Sequence, residues 1–94
     1  MSNRSIANDL IDVLEDFKAA RVSATDVEDA VERAVQAMEN VSLRAIHRSR
    51  DLASELVEAA LNDESEGASL GPEVAVVLES LRNYVAALGK RDAT

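Results

Sequence analysis

The chain has no cysteine and no tryptophan, and only one proline, three glycines, one histidine and two aromatic residues in 94 positions. Without cysteine there is no disulfide scaffold, thiolate zinc site, iron–sulfur cluster or cysteine nucleophile. His47 has no second imidazole with which to share a metal, and no serine stands in a Gly-x-Ser-x-Gly setting. No run of 18 apolar residues occurs, and the first residues lack the basic-then-apolar pattern of a secretory signal. A cytoplasmic location is therefore the expectation. Bases are also scarce: ten Lys and Arg against eighteen acids leave a formal charge of −8. A field of that sign opposes direct binding to nucleic-acid phosphate or to an anionic membrane. No catalytic constellation is readable, so the chain is read as a non-enzyme with no metal and no cofactor.

What is present is helix-forming composition. Hydrophobic residues make up 47% of the chain, with alanine and leucine prominent, and residues 1–66 contain neither glycine nor proline. Ile6, Leu10, Val13, Leu14 and Phe17 recur at the spacing of one helical face, predicting a helix over about 6–21. Ser23 with Asp26 forms a capping box, and Val22 with Val27 a hydrophobic staple, so a second helix begins at 24. Thr25 with Glu28 is a competing cap. Val27, Val31, Ala34, Val35 and Met38 line the second helix, which runs to about 40. Ser42 can cap a third over about 43–61, with Ile46, Ala53, Leu56, Val57, Ala60 and Leu61 inward; a break near Asn40 is favoured over one continuous rod. Residues 62–71 read as an acidic loop. Pro72 opens a fourth helix over about 72–88, with Val74, Val77, Leu78, Leu81, Val85 and Leu88 inward and Gly89 as a left-handed C-terminal residue. The expected fold is all-α, one domain, a small antiparallel bundle of three to four helices. Ile11 and Val76 lie off the main stripes, which leaves a homodimer open.

The charge is uneven. Residues 51–81 hold eight acids and no base. Asp51, Glu55 and Glu58 share one face of the third helix, and Asp63, Glu64 and Glu66 continue the acidic run into the loop. Like charges at helical spacing repel by a few tenths of a kcal/mol per pair, so a face of this kind suits a basic partner better than solubility alone. Asp12, Glu15 and Asp16 form a second candidate patch. The loop also has a partial likeness to a calcium loop, with Asn62, Glu64, Glu66, Gly67 and Glu73 at the relevant positions. Asn62 in place of Asp, Ser69 at an apolar position and Pro72 before the last ligand count against it. Arg44, Arg48 and Arg50, in so acidic a chain, are expected to pair with carboxylates of the second or third helix.

Residues 10–31, Leu-Ile-Asp-Val-Leu-Glu-Asp-Phe-Lys-Ala-Ala-Arg-Val-Ser-Ala-Thr-Asp-Val-Glu-Asp-Ala-Val, resemble the opening of colicin D-type immunity proteins. The shared pattern is an apolar helix ending in Phe near a base, a β-branched residue, a Ser/Thr-Ala cap and an acidic second helix. The resemblance implies a helical bundle that binds a cationic tRNA-cleaving toxin domain, with acids in the place of substrate phosphates. The leading expectation is an inhibitor of a basic nucleic-acid-processing protein. The alternative is a self-associating structural or adaptor bundle whose acids serve solubility.

Overall fold

The computed structural model describes residues 2–62 and 71–90. Four helices account for nearly all of them: α1 (Asn3–Lys18), α2 (Ala24–Ala37), α3 (Leu43–Asn62) and α4 (Pro72–Lys90). Each helix start has a chemical cause. Ser2 accepts from the Ser5 N–H at 3.1 Å, so α1 begins three residues earlier than its apolar stripe alone suggests. Ser23 and Asp26 close the capping box reciprocally at 3.1 and 2.9 Å, winning over Thr25 and Glu28. Ser42 caps α3 by accepting from the Ala45 N–H.

The ends between helices are equally specific. α1 stops at Lys18 because Ala20 takes a left-handed conformation, φ 62°, closing a Schellman motif in which Ala20 and Arg21 donate to the carbonyls of Phe17 and Asp16. Alanine is a costly residue at such a position. Ala20→Gly is therefore expected to raise the unfolding free energy by about 0.5–1 kcal/mol, read as a higher midpoint in denaturant at unchanged slope. Asn40, at φ 58°, breaks α2 from α3, which resolves the junction in favour of two helices.

Side-chain pairs fix the topology. Asn3 at the start of α1 bonds to Glu39 beyond the end of α2, and Arg50 of α3 meets Glu32 of α2. Arg82 of α4 meets Glu15 of α1. Neighbouring helices thus run antiparallel. α1 packs on α2 and α4, and α3 on the same two, while the backbones of the diagonal pairs stay farther apart. The result is an up-down-up-down four-helix bundle about 44 Å long. No helix among the described residues is long and apolar enough to cross a membrane.

The core is aliphatic and small. Leu14, Leu56, Leu81, Leu88, Val27, Val31, Val74 and Val85 are its largest fully buried side chains, with Phe17 at one edge. Most expected core positions of α1, α2 and α4 are buried, with Val13, Met38 and Val77 half-buried. α3 differs. Its buried face is Ala45, Ser49, Leu52, Ala53, Leu56 and Ala59. Leu61, expected inward, is 80% exposed, because five residues past Leu56 it sits about 140° round the helix. Ser49 is satisfied inside the core by donating its hydroxyl to the Ala45 carbonyl at 2.9 Å.

Gly89 also differs from expectation. It does not end α4; it lies buried within the last turn, where an added Cβ would come within 2.8 Å of the Ala7 Cβ on α1. The glycine lets α1 and α4 touch backbone to side chain. Gly89→Ala is expected to cost about 1–2 kcal/mol despite alanine's better helix propensity, and Ala7→Gly in the same chain should return part of that loss. Chemical denaturation of the two variants and the double variant reads the coupling directly.

Candidate acidic groove between α3 and α4

Antiparallel packing makes four seams, and their charges are not alike. Between α2 and α3, Arg50 answers Glu32 through two bonds of 2.7 Å, with Glu28 and Asp29 nearby. Between α1 and α4, Lys18 and Arg82 stand with Glu15 and Glu79. Between α1 and α2, an apolar groove over Leu10 and Ala34 is flanked by Asp9 and Arg33. The fourth seam holds, at the end where α3 finishes and α4 begins, a groove whose lining includes no base. Glu55 and Glu58 of α3 and Glu73 of α4 rim this groove of about 350 Å³, floored by Ala59 and Val77 and closed by Asn62.

Local sequence explains this placement. Glu55 and Glu58 fall three apart on α3 and so stand on adjacent turns of one side. Glu73 occupies the first turn of α4, stabilised there by the helix N-terminus. Small residues at Ala59 and half-buried Val77 leave the depression between them. All three carboxylates are exposed, and none forms an ion pair within 4 Å among the described residues. Asp51 is exposed on the same helix but outside the groove. Asp63, Glu64 and Glu66, and the segment on which the calcium-loop comparison depends, lie outside the described residues.

The second patch is arranged differently. Glu15 pairs with Arg82 and Asp16 with Arg21, both at 3.2 Å, leaving Asp12 exposed without such a partner. Two of its three charges are already answered within the chain. Of the three arginines expected to pair internally, Arg50 does so. Arg44 and Arg48 form no ion pair within 4 Å among the described residues. The antiparallel order sets the start of α3 beside the ends of α2 and α4, and neither the last turn of α2 nor the second half of α4 contains an acid.

Electrostatics elsewhere are structural. The Ser23 backbone N–H and hydroxyl hold Asp26 below its usual 3.8, and Arg50 followed by Gln36 holds Glu32 below its usual 4.5. A carboxyl with a lowered folded-state pKa stabilises above its unfolded value, and that contribution disappears as pH falls through the folded one. Stability is thus expected to decline below about pH 4.5, with Asp26→Asn and Glu32→Gln each flattening the decline in a urea titration at successive pH values.

Glu73 is the groove residue that reading along the chain missed. It lies fifteen positions from Glu58, and only the antiparallel return of α4 brings the two together. No family model matches the chain, and no curated protein or solved structure matches it.

Proposed function

We propose that this chain is a small cytoplasmic binding protein that neutralises a basic nucleic-acid-processing partner, a toxin or nuclease, by setting carboxylates where the partner's substrate phosphates would lie. The observation that carries this reading is the contrast between the grooves in the four seams. Three have a base within them; the α3–α4 groove has Glu55, Glu58 and Glu73 and none. Unanswered carboxylates cost the isolated chain a little repulsion and gain it a complementary surface for cationic side chains. Such a surface speeds encounter and selects partners by charge. The likeness of residues 10–31 to colicin D-type immunity proteins points to the same class of partner. Asp51 extends the surface along α3, and Asp12 is the free member of the second patch.

The test is capture followed by inhibition. Immobilised full chain, given a lysate of the organism that encodes it at about 50 mM salt, should retain a basic nucleic-acid enzyme and release it as salt approaches about 500 mM. Added free chain should then suppress that enzyme's activity. Retention indifferent to salt, or activity unaffected by saturating chain, would contradict the proposal.

A further inference from the structure

α3 carries its charges against its own backbone field. A helix is positive at its N-terminus and negative at its C-terminus, so acids belong in the first turn and bases in the last. α1 ends on Lys18, α2 has Asp26 in its first turn, and α4 has Glu73 in its first turn and Lys90 in its last. α3 has no acid in its first turn and no base in its last. Arg44 stands in the first turn, His47 and Arg48 follow, and Glu55 and Glu58 come in the second half.

The bundle amplifies this inversion. Antiparallel packing brings the end of α4, with Lys90, to the pole where α3 begins, and the start of α4, with Glu73, to the pole where α3 ends. The large apolar side chains left in solvent divide between the same two poles. Leu43 is 67% exposed at the basic pole; Leu61, 80%, and Val76, 66%, are exposed at the acidic one. On α3 and α4 the two ends therefore combine exposed apolar surface with opposite charge, basic at Arg44, Arg48 and Lys90 and acidic at Glu55, Glu58 and Glu73. Along α3, Arg48 and Glu55 are about 10 Å apart and Arg44 and Glu58 about 21 Å, and no ion pair joins them within the chain.

We propose that a second copy of this chain docks head to tail, with Leu43, Arg44 and Arg48 of one copy seated at the Glu55–Glu58–Glu73 groove of the next. The contact is heterologous: every bound copy still presents one free basic pole and one free acidic groove, so association continues beyond a dimer. It relieves the misplaced charges at both ends of α3. The net charge of −8 opposes it at long range, but opposite charges in contact lie well within a Debye length of about 10 Å at 0.1 M salt. The inference rests on the same groove as the proposed function and adds an occupant for it: neighbouring copies mask the carboxylates until a stronger cationic partner displaces them.

Sedimentation of the full chain at concentrations up to about 1 mM tests this. At about 50 mM salt the average mass should rise with concentration past that of a dimer, and at about 500 mM it should return to the monomer. R44E/R48E and E55K/E58K/E73K should each be monomeric with unchanged helix content. Mixed together, they should associate again, because the intact groove of the first still receives the intact basic pole of the second. A wild type that remains monomeric, association retained by R44E/R48E, or a mixture that stays monomeric would overturn the proposal. R44E/R48E should still capture the basic enzyme, since its groove is intact. Failure of capture with head-to-tail association preserved removes the proposed function and leaves this contact standing.

Discussion

Reversing the three groove carboxylates, E55K/E58K/E73K, is expected to weaken binding of a cationic partner by about a hundredfold to a thousandfold. Each exposed charge pair contributes only about 0.2–1 kcal/mol, but reversal both removes an attraction and adds a repulsion, and three reversals in one groove act together. The fold should not suffer. All three residues are exposed, and surface changes away from caps and buried partners stay within about 0.5 kcal/mol. Glu73 gives up a favourable place at the start of α4, and lysine there costs a fraction of a kcal/mol. The control is D12K/E15K/D16K. Glu15 and Asp16 already hold Arg82 and Arg21, so this variant should change partner affinity much less. Calorimetric titration of both variants with the captured enzyme, beside circular dichroism, separates lost charge from lost structure.

The second large effect belongs to stability. Asn3→Ala is expected to cost about 2–3 kcal/mol, well above the usual effect of a change in the first turn of a helix. Asn3 is 3% exposed. Its amide donates to the Glu39 carbonyl at 2.6 Å, and its side-chain oxygen accepts from the Glu39 N–H at 2.9 Å. One side chain thus satisfies both backbone groups of a residue 36 positions away, tying the start of α1 to the α2–α3 connection. Alanine leaves both groups without their partner. Asn3→Asp is the sharper variant: it keeps the acceptor for the N–H but sets a buried carboxylate against the Glu39 carbonyl. At neutral pH it should be at least as destabilising as alanine, and it should recover relative to alanine as the carboxyl protonates. Urea unfolding at two pH values measures both.

The helices and most of their inner faces were legible because local rules and packing agree. Ser23, Asp26, Val22 and Val27 mark one boundary by capping chemistry, and the aliphatic spacing of α1, α2 and α4 marks the core. Disagreement arose where small residues decide the packing. Ranking by hydrophobicity placed Leu61 inside α3, whereas Ala45, Ser49 and Ala59 lie against the neighbours, with Ile46 half-buried against the core. Gly89, followed by Lys90 and Arg91, has the pattern of a helix terminus, yet its role is contact with Ala7, which no local pattern reveals. Asn3 is a polar residue near a terminus until Glu39 is placed beside it. The acidity of α3 was legible as a run of charge. That Glu55 and Glu58 are joined by Glu73, and that no base shares their groove, depends on how α4 returns.

On the proposed function, the α3–α4 groove is where this chain receives cationic side chains. Amide chemical-shift mapping with a short arginine-rich peptide at moderate salt measures it most directly, because it reports which carboxylates the cation meets. Shifts should concentrate on residues 55–62 and 72–77, saturate with peptide and be absent from E55K/E58K/E73K. Shifts spread evenly over the acids of α1 and α2, or undiminished in that variant, would contradict it.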